Sequence, residues 1–206
     1  MNPTLTAEIA AAAARLVVEE GMDYGPAKRK AARAFGRQGV RQADLPDNDA
    51  VEDEVREHLA LFHADTQPAE LAALREVAAL WMERLAEFRP HLTGAVWRGT
   101  ATRLNNVHLQ LFCDDPKAAE IALVNAGVDY EVDSRPGPRG GRPIDALVVS
   151  SPSAALGERV TVVLSILDHD DLRGALKPDA RGRSERGDRA ALARLLAAEA
   201  PPGAAP

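Results

Sequence analysis

The chain has 206 residues, a formal net charge of −6, a single cysteine and only 4% aromatic residues. This length suffices for one core with a small helical appendage, and a lone Cys113 excludes both an intramolecular disulfide and a zinc site built from several thiolates. The negative charge argues against bulk attraction to nucleic acid, and the lack of a basic leader or long apolar run predicts a cytoplasmic protein without a membrane partner.

Residues 1–88 predict a helical N-terminal region, because apolar side chains recur there every three or four residues. The pattern is clearest where Val51, Val55 and Leu59 share one face. Glycine and proline in residues 36–46 predict a connecting loop. We expect the basic run Lys28–Arg33 to be a solvated face rather than an RNA-binding surface. The predicted helices are Leu5–Glu20, Pro26–Phe35, a helix capped by Asn48 and ending near Phe62, and Pro68–Phe88 as the longest.

From Pro90 onward the pattern changes to short β-prone runs separated by polar turns. Helices followed by strands, with one helix inserted between them, predict an α+β fold in which residues 89–176 form the core domain. Residues 177–206 predict a polar C-terminal segment with a short helix, Asp188–Ala198, and a frayed tail. The predicted strands are Leu92–Arg98, Val107–Cys113, Val128–Val132, Ile144–Ser150 and Arg159–Leu167, and the inserted helix is Pro116–Ala126.

The segment Leu92–Phe112 (LTGAVWRGTATRLNNVHLQLF) resembles the signature of the nucleotidyltransferase superfamily. That signature is a glycine followed by Ser or Thr, a loop, and then carboxylate, apolar residue, carboxylate on a strand. Gly99 and Thr100 match its first half. The resemblance implies a nucleotidyltransferase-like mixed β-sheet covered by helices. It also implies that Gly99 allows close approach to nucleotide phosphates and that the Thr100 hydroxyl binds phosphate.

The chain departs from the signature where the two carboxylates belong, because Asn106 and His108 stand there. Alternation along a strand still puts both side chains on one face, as an Mg²⁺ site requires, but both anionic charges are lost. The resemblance implies a third carboxylate on a neighbouring strand, for which Asp145 is the candidate. We therefore expect a degenerate site, with Asp145 as its catalytic and metal-binding residue, and with Mg²⁺ as the cofactor if any metal binds.

Arginines near this segment are candidates for contacts with nucleotide phosphates. Arg98 and Arg103 flank Gly99 and Thr100, while Arg139 and Arg142 lie in the loop Ser134–Pro143 between two predicted strands. The simpler interpretation of that loop is a solvated hairpin connection, because its prolines and glycines already explain the turn. We keep Arg98, Arg103, Arg139 and Arg142 as candidate nucleotide-binding residues.

Three functions follow from these residues. The first is a nucleotidyltransferase-like protein, catalytically degenerate, that binds a nucleotide. The second is a non-catalytic module that binds a protein or RNA partner, and the third is an active nucleotidyltransferase with unusual metal ligands. The chain is also similar to short bacterial proteins of which some carry a UDP-N-acetylmuramate–alanine ligase label, but the glycine-rich ATP loop ending in Lys and Ser or Thr is absent.

Overall fold

The computed structural model describes residues 3–36, 45–135, 137, 143–173, 178 and 181–199. The chain divides into two compact units, one formed by Met1–Leu71 with Thr100–Asn105 and the other by Ala72–Gly99 with Asn106–Pro206. The helices are α1 (Pro3–Glu20), α2 (Tyr24–Ala34), α3 (Asn48–Phe62), α4 (Gln67–Arg84), α5 (Gly94–Arg98), α6 (Pro116–Asn125) and α7 (Arg189–Glu199). The strands are β1 (His91–Thr93), β2 (Val107–Phe112), β3 (Tyr130–Arg135), β4 (Ile144–Ser153), β5 (Glu158–Leu167) and β6 (Arg186–Gly187), with 3₁₀ helices at Ala86–Phe88 and His169–Leu172.

The first unit is built around α1, which packs on α2 and α3. The core of this unit is aliphatic and rich in alanine, as the composition predicts, with Ile9, Val17 and Val55 almost fully buried. Small side chains allow helices to approach closely. The N-cap of α3 is Asp47 rather than Asn48, because an Asp47 carboxylate oxygen accepts a hydrogen bond from the Ala50 amide at 2.7 Å.

The prediction of a solvated basic face is wrong for Lys28. Its side chain is only 3% exposed, and its ammonium donates hydrogen bonds to the Pro46 carbonyl at 3.0 Å and the Asn48 side-chain oxygen at 2.8 Å. Burial lowers the pKa of Lys28, although the Asp47 carboxylate opposes that effect. Lys28 thus ties α2 to the start of α3, within the first unit. Lys30 remains at the surface and pairs with Glu20.

The second unit contains a six-stranded sheet in the order β3-β4-β5-β2-β1-β6. Strands β2 and β5 are parallel, whereas every other neighbouring pair is antiparallel. The predicted α+β class and its mixed sheet are therefore confirmed. In the described part of the chain, none of the helices combines the length and hydropathy that a membrane span requires.

Some predicted elements differ from the observed ones. Leu92–Arg98 is not one strand, since the strand ends at Thr93 and α5 begins at Gly94, whose φ of 73° is unfavourable for other residues. Helix α4 ends at Arg84 rather than at Phe88, and its length of 18 residues equals that of α1, so it shares the greatest length among the described helices. The predicted polar segment after residue 177 contains β6, which pairs with β1.

The cross-strand register assigns each side chain to one of two faces, because directly paired residues share a face and consecutive residues alternate. One face, here called the core face, carries fully buried aliphatic residues such as Leu92, Leu109 and Leu164. On strands β6, β1 and β2 the opposite face is polar except for the buried Phe112. It is here called the polar face and carries His91, Thr93, His108, Gln110 and Arg186.

Strand β6 depends on a glycine. Gly187 pairs with Leu92, and a Cβ atom added at Gly187 would overlap the six-membered ring of Trp97. We expect Gly187→Ala to lower the free energy of unfolding by about 1–3 kcal/mol, because a packed indole cannot yield without moving α5 or β6. Urea denaturation followed by tryptophan fluorescence measures this change.

Gly25→Ala is the matched control. The nearest atom to a Cβ added there is the tip of the flexible Arg29 side chain, at 3.5 Å. Because alanine favours a helix over glycine, this variant should be as stable as the parent chain or slightly more stable. Equal stability of the two variants would contradict the role assigned to Gly187.

Candidate functional site

Five polar side chains meet on the polar face because three strands place them in two adjacent rows. Thr93 of β1 pairs with His108 of β2 on one side and with Arg186 of β6 on the other. His91 pairs with Gln110, which lies next to Ser165 of β5. Side chains of directly opposed residues are within contact range across a sheet. The result is a continuous polar strip, half-buried except at His91, which is 5% exposed.

Hydrogen bonds hold residues 184–187 against this strip, although they are distant in sequence. The Trp97 indole N–H donates to the Ser184 carbonyl at 2.7 Å, and the Thr93 hydroxyl donates to the Glu185 carbonyl at 3.0 Å. The Arg186 guanidinium donates to the side-chain oxygen of Gln110 at 2.6 Å. These contacts fix both the backbone and the side chain of Arg186.

Gly94 lies beside His108. A Cβ atom added at Gly94 would be 3.7 Å from the His108 Cδ2 atom and 4.0 Å from its Cβ. The His108 imidazole therefore lies next to the backbone at the start of α5, with no side chain between them. Gly94 directly follows β1, and Asn106 is an exposed residue directly before β2. Gly94, Asn106 and His108 therefore lie at one end of the polar face, where β1 ends and β2 begins.

His91 is the buried member of the strip. Burial lowers its pKa below the ordinary value of 6.5, and Arg186 acts in the same direction, whereas the Arg89 carbonyl and the Asp188 carboxylate oppose the change. The Nδ1 atom lies 2.8 Å from the Arg89 carbonyl oxygen. Because a carbonyl only accepts, Nδ1 carries the proton of the neutral ring and Nε2 is left as an acceptor. The ring edge packs against Phe112, with centroids 5.2 Å apart.

The sheet register does not bring Asp145 together with Asn106 and His108. Ala146 lies in the same cross-strand row as Ser165 and Gln110, so Asp145, the next residue, belongs to the opposite face. Its electrostatic neighbour is Lys117 of α6, whose pKa is raised chiefly by a hydrogen bond to Glu120 and further by Asp145. Asp145 is thus separated from the other two predicted ligands by the sheet itself.

The remaining predicted residues are distributed over both units. Gly99 is the C-cap of α5 in the left-handed conformation, and Arg98 is half-buried beside it. Thr100 and Arg103 belong to the first unit, where Thr100 is 1% exposed and its hydroxyl has no partner among the described residues. The backbone amide of Arg103 donates to Glu70 at 2.9 Å. Arg139 and Arg142 lie outside the described residues.

The donor set on the polar face does not fit Mg²⁺. This ion prefers several oxygen ligands with anionic charge, but the positions of the two signature carboxylates hold the amide of Asn106 and the imidazole of His108. On β5, the described side chains that share the face of His108 include Thr161, Val163 and Ser165, and none is a carboxylate. Within the described residues, no group of three or more His, Cys, Asp or Glu side chains is arranged to hold a metal ion.

The lowered pKa of His91 predicts a pH dependence of stability. Below pH 6.5 the unfolded chain protonates this residue more readily than the folded chain does, so the free energy of unfolding falls as the pH decreases through that range. In His91→Asn, which keeps an N–H donor for the Arg89 carbonyl, this decrease should be smaller. Urea denaturation at pH 5 to 8 measures the difference. Since burial also lowers the pKa of His58, only the difference between parent and variant reports on His91. Parallel pH profiles would contradict a neutral, buried His91.

Comparisons with known proteins give little beyond this geometry. No protein-family model matches the chain, and no curated protein matches it. Among solved structures, it is similar to one described as "Structure of Cid1 in complex with the UTP analog UMPNPP", with a TM-score of 0.34 and 12% sequence identity. The similarity covers 56% of this chain and 36% of that chain. At this level it carries no argument about ligand or activity.

Proposed function

We propose that the chain is a nucleotidyltransferase-like protein that binds a nucleotide on its polar face and lacks two-metal catalysis. The observation that carries this proposal is the position of Gly94, whose missing Cβ would lie 3.7 Å from the His108 ring at the start of α5. A glycine after one strand and an i, i+2 pair at the start of the adjacent strand reproduce the order of elements that the sequence resemblance implies.

Gly94 rather than Gly99 fills the role of the signature glycine in this proposal. Gly94 follows β1 directly, has a positive φ and lies beside His108, whereas Gly99 caps the far end of α5. Thr93 lies directly opposite His108 on β1, and Gln110 follows His108 on the same face of β2, so both add neutral hydrogen-bonding groups beside the imidazole. A strip of hydroxyl, amide and imidazole groups suits phosphate and ribose oxygens.

The absence of metal-binding carboxylates from the strip makes catalysis by the family mechanism untenable in this proposal. Nucleotidyl transfer with two metal ions needs anionic ligands that hold both ions close together. Asn106 and His108 carry no negative charge, and Asp145 belongs to the core face of the sheet. We therefore assign Asp145 no role in nucleotide binding, and we expect binding without Mg²⁺.

Isothermal titration calorimetry with ATP, CTP and UTP tests this proposal. At least one nucleotide should bind in EDTA at least as tightly as in Mg²⁺, because no side chain of the site requires the ion and Mg²⁺ neutralises part of the phosphate charge. His108→Ala should weaken that binding roughly fivefold to tenfold, as expected for the loss of one hydrogen bond. Asp145→Ala, which removes a carboxylate on the opposite face, is the matched control and should keep the parent affinity.

Two results would contradict the proposal in different ways. No heat of binding with any nucleotide would remove the nucleotide and favour a protein or RNA interaction module. Binding that requires Mg²⁺ or Mn²⁺ would contradict the metal-free site and favour an active nucleotidyltransferase with unusual ligands.

Restoring the carboxylates tests whether β2 is the strand that corresponds to the metal-binding strand. The double variant Asn106→Asp, His108→Asp should gain affinity for Mn²⁺, because two carboxylates on one face of a strand can share an ion. Electron paramagnetic resonance of free Mn²⁺ measures the change. The control Asn125→Asp, His63→Asp carries the same changes at separate positions and should not gain affinity. Equal Mn²⁺ binding by both variants would mean that Asn106 and His108 do not converge on one ligand.

A further inference from the structure

Strand β3 lies at one edge of the sheet, with β4 as its neighbour. An edge strand points the N–H and C=O groups of every second residue away from its neighbour, which makes it a template for a further strand. Among the residues that the structure describes, none adds a strand to this outer edge, and the four central residues of β3 are all exposed. We infer that the outer edge of β3 binds an extended segment of a partner protein in which basic residues alternate with apolar ones.

The two faces of β3 differ in chemistry, because consecutive residues alternate between them. Glu131 is in the cross-strand row of His108 and therefore lies on the polar face. Val132 pairs with the buried Leu147 and lies on the core face. In binding by strand addition, main-chain hydrogen bonds give affinity and alternate side chains give specificity. The partner segment must therefore carry side chains of two kinds.

The polar face of this edge is acidic. Asp129 and Glu131 line a cleft of about 470 Å³, together with the hydroxyl-bearing residues Ser150 and Thr161. Both acidic side chains are exposed, and neither forms a hydrogen bond or an ion pair with another described residue. In the described part of the chain, no group of three or more His, Cys, Asp or Glu is arranged to hold a metal ion. The cation that suits this cleft is therefore a lysine or arginine side chain.

Two arginines close to the cleft have other partners. The Arg135 guanidinium lies 3.3 Å from the Asp133 carboxylate, which also accepts a hydrogen bond from the Ser134 amide. Arg159 donates to the hydroxyl of Ser150 at 2.7 Å and to the carbonyl of the same residue. Neither arginine is within ion-pair distance of the two carboxylates in the cleft, so their negative charge is available to a partner.

The core face of the same edge leaves apolar side chains uncovered. Val132 is 61% exposed, and Val124 of α6 is 60% exposed. The Tyr130 hydroxyl donates to Glu120 of α6 at 2.8 Å, so this helix lies against β3. Because Val124 is four residues after Glu120, both lie on the same side of the helix. Apolar side chains of an added strand would remove this surface from water.

A second copy of the chain suits the edge less well than a basic partner. Consider two antiparallel β3 strands that join their sheets with like faces together. Each register centred on Glu131, Val132 or Asp133 sets at least one carboxylate directly opposite another. Like charges in directly opposed positions destabilise a strand pair. A segment with lysine or arginine in every second position has no such conflict.

Fluorescence anisotropy with a labelled peptide tests the inference. The probe has about seven residues, an ordinary strand length, in which lysine alternates with valine. It should bind the full chain. A peptide of the same composition with its lysines and valines in two blocks should bind roughly tenfold more weakly. Because both peptides carry the same charge, attraction to the chain's net charge of −6 cannot explain this difference.

Methylation of peptide amides tests the strand pairing itself. Methyl groups on the valine amides block one edge of the extended peptide, and methyl groups on the lysine amides block the other edge. One of these two peptides should lose binding, whereas the other should retain most of the affinity. Equal effects of the two methylation patterns would show that no strand is added and would overturn the inference.

Glu131→Lys tests the acidic cleft. It should weaken binding of the lysine–valine peptide roughly tenfold, because attraction becomes repulsion, and it should improve binding of a glutamate–valine peptide. The matched control is Glu76→Lys, the same change at an exposed position of α4, which should bind like the parent. Val132→Thr keeps a β-branched side chain and should weaken binding severalfold through the lost apolar contact.

Hydrogen–deuterium exchange locates the bound peptide. Amides of Tyr130–Arg135 should exchange more slowly in the complex. Absence of peptide binding, or protection that leaves β3 unchanged, would contradict the inference. Dimerisation of the free chain in sedimentation, with the same amides protected, would assign the edge to a second copy instead. These outcomes are independent of the nucleotide titrations, because none of the altered residues belongs to the polar strip.

Discussion

The cross-strand register of β2 is the constraint on which the candidate site depends. Alternation sends Val107, Leu109 and Leu111 into the core and leaves His108 and Gln110 on the other face. A shift of one residue would expose the aliphatic set, which makes this register strongly specified. The same alternation places His108 opposite Thr93 on one face of the sheet and Asp145 on the other face.

The second requirement is the return of the chain to β1 after β5. Strand β6 has only two residues, so its two backbone pairs could not hold it alone. The side chains of Trp97 and Thr93 donate hydrogen bonds to the two residues that precede β6, and Gly187 leaves room for the indole. The position of Arg186 in the polar strip therefore depends on α5, because the indole that anchors this segment lies on the same short helix that begins at Gly94.

Charge gives the site its chemical character. An i, i+2 pair of carboxylates would concentrate negative charge and demand a metal ion before phosphate could approach. Asn106 and His108 bring no such charge, so the polar strip combines neutral amide, hydroxyl and imidazole groups with the Arg186 guanidinium.

Local sequence patterns determined much of this protein. Apolar periodicity predicted the helices of residues 1–88 and the run Val107–Phe112, since such patterns depend on neighbours a few residues away. The i, i+2 spacing identified Asn106 and His108 as candidates in the same way. Local patterns did not predict the positions of Gly94 and Arg186 in the candidate site. Gly94 is followed by an alanine, whereas the signature requires Ser or Thr after its glycine, as in Gly99-Thr100. Arg186 stands in a polar segment with no strand pattern. Only the tertiary structure decided that Arg186 faces Thr93 and that Asp145 faces α6, because strand pairing between distant segments sets the face of each side chain.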